Sequence, residues 1–121
     1  MDWQPVNTGS EFNFQTSGVV FYVNPNHGFV ADEFSVGASV DGGANWNKIY
    51  SGSDSYHDLF FLNDSIGYMT DGHYILKTVD GGITWTKEVS VPGIRFLELH
   101  FRDANHGWAC GDNGVILKYE K

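Results

Sequence analysis

The chain of 121 residues has the length of one domain, and 15 acidic against 7 basic residues give it a formal net charge of −8. Because this acidic chain has no local cluster of basic residues, nucleic acid and anionic membranes are not among the partners we expect. No apolar run approaches the roughly 18 residues that span a bilayer. The single cysteine, Cys110, excludes a disulfide within the chain.

The first residues, Met1-Asp2-Trp3-Gln4-Pro5, have neither the basic nor the apolar region of a signal peptide. Such a start fits an intracellular or phage protein, and equally a secreted protein whose leader has been removed, so it assigns no compartment. Residues 3–6 are the first predicted strand, because Trp3 aligns with the tryptophans that begin two later strands, Trp46 and Trp85.

The rest of the chain predicts further strands and essentially no helix. Each predicted strand is short, is alternating or fully apolar, and is bounded by Gly, Asn or Asp. No segment keeps a 3.6-residue period with caps at its ends. The fold class is therefore all-β, with strands in chain order at residues 19–23, 29–31, 37–40, 46–50, 58–62, 68–70, 74–79, 85–89, 96–101, 108–110 and 115–119.

These strands belong to an internal repeat. The segment Ser39-Val40-Asp41-Gly42-Gly43-Ala44-Asn45-Trp46 recurs as Thr78-Val79-Asp80-Gly81-Gly82-Ile83-Thr84-Trp85, 39 positions later (85 − 46). A glycine followed by an aromatic residue marks each repeat, at Gly28, Gly67 and Gly107. Four strands in about 40 residues are typical of a β-propeller blade. One domain, residues 1–121, thus contains three repeats, at approximately residues 3–45, 46–84 and 85–121.

The recurring S/T-x-D-x-G-x-x-W segment predicts a tight hairpin between the third and fourth strands of a blade. The aspartate accepts backbone N–H groups across the turn, and the hydroxyl residue two positions earlier does so more weakly. The glycines adopt backbone angles that other residues resist, and the tryptophan packs between neighbouring sheets. The residues to which we assign this structural role are Ser39, Asp41, Gly43, Trp46, Thr78, Asp80, Gly82 and Trp85.

With these motifs the sequence resembles the Asp-box (BNR) repeat β-propellers. Within them it is most similar to the YCF48-like repeats of photosystem II assembly factors, in which a Gly-Trp strand precedes a run such as Ile75-Leu76-Lys77-Thr78-Val79-Asp80-Gly81-Gly82-Ile83-Thr84-Trp85. The resemblance covers nearly the whole chain and implies three four-stranded blades. Sialidases share the Asp-box, but their site has three arginines that bind a sugar carboxylate. This chain has only two arginines, Arg95 and Arg102.

The two ends of the chain are complementary. Residues 3–6 align with a fourth strand that has no first three before it, and residues 115–119 are a third strand with no fourth after it. Propellers typically have 4 to 8 blades, so three are too few for a ring. We expect residues 3–6 of one copy to pair with residues 115–119 of another, which makes a homodimer with a six-bladed ring. The alternative is that the chain is part of a longer single-chain propeller.

Candidate ligand-binding residues lie in two loop types that share one face of a propeller, the loops from fourth to first strands and from second to third strands. Asp71 and Asp112 match each other in the second type. The histidines His27 and His106 occupy one repeat position and are expected to be structural, so we expect no metal site and no cofactor. The candidate ligand-binding set is Tyr56, His57, Asp71, His73, Arg95 and Asp112.

The function expected from this pattern is a non-catalytic binding or assembly module that presents a rigid face to a protein partner. No nucleophile–base pair, phosphate-binding loop or metal motif is present, so no catalytic residue is assigned. The alternative is a carbohydrate-binding lectin that assembles as an oligomeric propeller, with glycan in place of a protein ligand. A glycan-cleaving enzyme is a weaker alternative, because no carboxylate pair is singled out.

Overall fold

The computed structural model describes residues 3–5, 18–32, 34–52 and 56–121. In these ranges the regular structure is antiparallel β-sheet, apart from one short 3₁₀ turn at Asp112–Gly114. No helix there is long and apolar enough to cross a membrane. The all-β fold class predicted from the sequence is confirmed.

In the described residues eleven strands form three sheets, and within each sheet every strand pairs with the next one along the chain. Sheet 1 contains β1 (Val19–Tyr22), β2 (Gly28–Ala31), β3 (Ser35–Ser39) and β4 (Asn47–Ser51). Sheet 2 contains β5 (Tyr56–Phe61), β6 (Gly67–Asp71), β7 (Tyr74–Thr78) and β8 (Thr86–Ser90). Sheet 3 contains β9 (Phe96–Asp103), β10 (His106–Gly111) and β11 (Ile116–Glu120).

The strand predicted at residues 3–6 differs from the structure. Residues 3–5 lie outside every strand of the described chain, and residue 6 lies outside the described residues. In the part of the chain that the structure describes, sheet 3 therefore has three strands where four were expected. A strand exists only where a neighbouring edge accepts its backbone hydrogen bonds, and residues 3–5 pair with no strand that the structure describes. The Trp3 side chain is 96% exposed.

The sheets pack face to face through aromatic side chains. The ring of Phe29 in sheet 1 stacks on that of Phe61 in sheet 2, with centroids 3.7 Å apart. The Tyr68 ring of sheet 2 stacks in the same way on Phe101 of sheet 3, at 4.6 Å. Each contact joins the second strand of one sheet to the first strand of the next, and each lies within a cluster of buried apolar side chains.

The glycine of the Gly-aromatic motif makes room for this stacking ring. Gly67 of β6 pairs with Phe61 of β5, and a Cβ atom on Gly67 would lie 2.6 Å from the Phe61 ring. No side chain is compatible with that distance, so the position requires glycine. The same arrangement holds for Gly28 beneath Tyr22 and for Gly107 beneath Phe101.

The two recurring hairpins, at residues 39–46 and 78–85, are called box turns here. In the first, the Asp41 carboxylate accepts the Ser39 hydroxyl at 2.8 Å and the Asn45 backbone N–H at 2.9 Å. The Gly43 N–H donates to Ser39 Oγ, and the Trp46 indole N–H donates to the Gly43 carbonyl, both at 2.9 Å. The second box turn repeats these bonds at Thr78, Asp80, Gly82, Thr84 and Trp85.

Candidate binding face

Three connections between strands meet at one end of sheets 2 and 3. They are the β8–β9 loop (residues 91–95), the β6–β7 turn (residues 72–73) and the β10–β11 turn (residues 112–115), which we call the loop face. The Phe96 N–H donates to the Gly72 carbonyl at 3.0 Å, and the Asp112 N–H donates to the Arg95 carbonyl at 3.0 Å. The β8–β9 loop is therefore held on both sides by backbone hydrogen bonds.

The loop face brings together three residues of the predicted ligand-binding set, His73, Arg95 and Asp112. His73 Nδ1 lies 2.7 Å from the Ile94 carbonyl oxygen, and because a carbonyl only accepts, this nitrogen carries the proton. Asp112 Oδ2 accepts the Arg95 backbone N–H at 3.2 Å and its Nε–H at 3.4 Å. The Arg95 side chain is 58% exposed, so most of it remains accessible to a ligand.

Asp71 and Asp112 do not occupy equivalent places, contrary to the match read from the sequence. Asp71 is the fourth residue after Gly67 and is buried at the end of β6, whereas Gly111 is the fourth after Gly107. Asp112 stands one residue further on and begins the 3₁₀ turn. The β10–β11 connection is one residue longer, and this shifts the aspartate out of the sheet and into the turn.

Gly111 explains why the second aspartate is displaced. A Cβ atom at Gly111 would lie 2.4 Å from the Arg95 carbonyl oxygen, because the β8–β9 loop passes directly over this position. An aspartate there would push the loop away. The carboxylate one residue later instead accepts hydrogen bonds from the loop.

Tyr56 and His57 belong to the same end of sheet 2 through their backbone. Tyr56 pairs with Asp71 in the β5–β6 register, and His57 lies in the irregularity between Tyr56 and Asp58. Their side chains lie outside the described part of the structure. Asp71 lies beneath the β6–β7 turn, and its side chain is not part of the exposed surface.

Asp58 is a carboxylate that the sequence did not single out. Its Oδ2 accepts the Leu99 backbone N–H of sheet 3 at 2.8 Å, and its Oδ1 accepts the Leu59 N–H at 2.9 Å. Burial raises the pKa of Asp58 above 3.8, with Glu98 adding to the increase, although both hydrogen bonds oppose it. An acidic residue directly before the apolar run Leu59-Phe60-Phe61 of β5 was the available signal.

The opposite end of the sheets carries the box turns, whose carboxylates are held by their own turns. Hydrogen bonds, foremost from the Asn45 side chain to Asp41 and from the Thr84 side chain to Asp80, lower the pKa of each aspartate from 3.8 to about 2. His27 Nδ1 lies 2.7 Å from Asp64 Oδ1 of the next sheet, and His106 Nδ1 lies 2.8 Å from Asp103 Oδ1. In the described ranges, no three His, Cys, Asp or Glu side chains form a group suited to a metal ion.

The structure is similar to solved β-propellers. No protein-family description matches the chain, and no curated protein matches its sequence. A structure titled YCF48 bound to D1 peptide aligns with a TM-score of 0.75 at 20% identity, over 85% of this chain and 36% of that one. YCF48 from Cyanidioschyzon merolae aligns with a TM-score of 0.70 at 20% identity, over 84% of this chain and 36% of that one.

This likeness shows the fold. The sheets described here correspond to blades of a β-propeller, and the chain spans about a third of the length of the two YCF48 structures, 36% of each.

Proposed function

We propose that the chain is a non-catalytic binding module that holds a peptide segment of a protein partner on the loop face. The observation that carries this proposal is the β8–β9 loop, held between two turns by the Phe96 and Asp112 N–H groups. A loop fixed before binding loses little conformational entropy when a ligand arrives, so contacts made on it contribute fully to affinity. The neighbour titled YCF48 bound to D1 peptide supports a peptide as the ligand.

The side chains of this face suit a polar peptide. Arg95 offers exposed N–H donors, Asp112 offers a carboxylate, and His73 is exposed with its Nδ1–H already bonded to the Ile94 carbonyl. Such a mixture of donors and acceptors matches main-chain carbonyl and amide groups. Arg95 and Asp112 form an ion pair with each other on this face, and this arrangement is better suited to binding than to proton transfer.

The repeats of this module are proposed to be Asp-boxes, since the box turns have the hydrogen bonds expected of that pattern. Asp41 and Asp80 then have a structural function, and no residue of the described chain is assigned to catalysis. Turnover of sialosides or aryl glycosides, lost in Asp71→Asn or Asp112→Asn, would overturn the non-catalytic proposal.

The test is affinity for selected peptides. Peptides are selected from a random display library against the immobilised chain, and their binding in solution is measured by fluorescence anisotropy. Arg95→Ala should weaken binding about tenfold or more, the loss expected for one charged hydrogen-bonding side chain. Arg102→Ala is the matched control, because Arg102 is an equally exposed arginine of β9 beside Asp103. Equal affinity of both variants, or glycan binding without peptide binding, would contradict the proposal.

We also propose that two copies associate, with residues 3–6 of one pairing with residues 115–119 of the other. Sheet 3 supports this pairing, because β11 is an edge strand on a three-stranded sheet. Edges of this kind pair readily with further strands. Deleting residues 1–6 should convert a dimer into a monomer in sedimentation experiments. A chain that is monomeric before and after this deletion would refute the dimer.

A further inference from the structure

An apolar cavity of about 180 Å³ lies between sheets 2 and 3. Its walls include Val89 of β8, Phe101 of β9, and Leu117 and Tyr119 of β11. Aromatic and aliphatic side chains line most of it, so an apolar group would be stabilised there by removal from water.

The corresponding space between sheets 1 and 2 is filled by Trp85. This indole packs edge-on against Phe61, with centroids 6.0 Å apart, and lies 6.4 Å from the Tyr50 ring. Phe101 takes the place of Phe61 in sheet 3, because the two residues pair with the equivalent glycines Gly107 and Gly67. Val89 takes the place of Tyr50, since each is four residues after a box-turn tryptophan. The cavity is therefore the tryptophan position of sheet 3.

Sheet 3 departs from the box pattern at Tyr119. Tyr119 pairs with Gly107 as Thr78 pairs with Gly67, so a tyrosine stands where a box turn has its hydroxyl residue. Of the four tryptophans in the sequence, Trp46 and Trp85 belong to box turns and Trp108 belongs to β10. Trp3 is the remaining one, and it is 96% exposed.

We propose that Trp3 of a second copy of this chain inserts into the cavity between sheets 2 and 3. The inference rests on the two-copy association proposed above and names the contact that holds it together. Residues 3–6 then add to sheet 3 as its fourth strand, and the indole packs against Phe101 and Val89 as Trp85 packs against Phe61 and Tyr50.

The open faces of sheets 1 and 3 independently favour a second copy as the occupant. Leu59 is 2% exposed because sheet 1 covers it, whereas Val20, at the same position of sheet 1, is 60% exposed. On the other side, Ile75 is 7% exposed beneath sheet 3, whereas Ile116, its counterpart in sheet 3, is 70% exposed. Each open face exposes apolar positions that the two internal interfaces bury.

In the proposed dimer, the open faces of sheets 1 and 3 also bring two aromatic rings together. Phe29 and Tyr68 each stack on the first-strand ring of the next sheet. Trp108 of sheet 3 occupies the same repeat position as Phe29 and Tyr68, because it follows Gly107. Tyr22 of β1 occupies the same position as the two rings on which they stack, because it pairs with Gly28. Tyr22 of one copy thus meets Trp108 of the other, which makes the seam a third example of an interface already formed twice within the chain. A head-to-tail contact of this kind ends in a closed ring when the rotation fits.

The test compares Trp3→Ala with the parent chain by sedimentation equilibrium. The parent is expected at twice its 13.5 kDa mass. Trp3→Ala should weaken dimerisation by at least about 100-fold, because it removes a buried indole from each seam. Val40→Ala is the control, since Val40 is an exposed apolar residue in a box turn and should leave the dimer unchanged. Trp3 is exposed within its own chain, so Trp3→Ala should leave the fold of each chain unchanged.

The outcomes distinguish the dimer itself from the insertion of Trp3 into the cavity. A parent dimer with an unaltered dissociation constant in Trp3→Ala would refute the insertion of Trp3 and leave the dimer standing. A monomeric parent would refute both the dimer and the insertion of Trp3. Mixing Trp3→Ala with the cavity variant Leu117→Lys should produce a heterodimer from two non-dimerising chains, because one intact seam remains. Failure to form that heterodimer while the parent dimerises would count against the cavity as the binding site of Trp3.

Discussion

The carboxylate of Asp58 in sheet 2 accepts the backbone N–H of Leu99 in sheet 3, with Oδ2 and N 2.8 Å apart. This bond joins the first strands of neighbouring sheets at a point where Asp58 is partly removed from water. A hydrogen bond to a carboxylate is stronger than one between neutral groups. Asp58 therefore ties together the two sheets that carry the loop face.

Replacing Asp58 should loosen the contact between sheets 2 and 3. Asp58→Ala leaves the Leu99 N–H without its acceptor, so we expect a loss of about 1–3 kcal/mol in the free energy of unfolding. Asp58→Asn keeps an acceptor oxygen and should cost less. Urea unfolding provides the measurement, with Glu120→Ala at an exposed position of β11 as the control. An Asp58→Ala protein with the parent's urea midpoint would contradict this role.

Trp85 should be among the most costly residues to truncate. Its indole lies between Phe61 and Tyr50 and donates to the Gly82 carbonyl. Trp85→Ala removes this packing, and we expect a loss of about 3–5 kcal/mol. Ile83→Ala, at an exposed position of the same turn, should change stability by no more than about 0.5 kcal/mol. Thermal melting of the two variants at the same temperature would be incompatible with a structural role for Trp85.

The lowered pKa of the two box-turn aspartates predicts a loss of stability in acid. The pKa of Asp41 and of Asp80 is about 2 in the folded chain against 3.8 for the ordinary group. A lowered pKa stabilises the fold above pH 4, and this contribution disappears as the pH falls from about 4 to about 2. The raised pKa of Asp58 acts in the opposite direction, since its protonated form is the one favoured by folding.

Urea unfolding at several pH values measures this effect. The free energy of unfolding should fall between pH 4 and pH 2, and Asp80→Asn should flatten that dependence because it removes one of the two box-turn carboxylates. Glu120→Gln, at an exposed carboxylate outside the box turns, is the control. The same pH dependence in Asp80→Asn and in the parent would refute the assignment to Asp80.

Much of the fold could be predicted from the sequence because the repeat shows itself three times. Alternating apolar residues between glycines mark the strands, and the spacing from Trp46 to Trp85 gives the length of the unit. All eleven strands lie within two residues of their predicted bounds. Residues 3–5 were the exception, because they pair with no strand that the structure describes.

The loop face was only partly predictable. His73 and Arg95 come together because the backbone carbonyls of Ile94 and Gly72 accept hydrogen bonds that hold the β8–β9 loop. Hydrogen bonds to backbone carbonyls cannot be predicted from the residue types at those positions. The one-residue extension that displaces Asp112 was hidden by the similar residues after it. Asp58 was missed because its partner is the N–H of Leu99, which lies 41 positions away.

The most direct test of the central claim is a map of amide chemical shifts as a selected peptide is added to the ¹⁵N-labelled chain. The proposed peptide-binding function predicts that the perturbed amides cluster on the loop face, at residues 72–73, 91–95 and 112–115. Arg95→Ala should remove these perturbations at the same peptide concentration. Perturbations confined to residues 39–45 and 78–84, in the box turns at the opposite end, would contradict the claim.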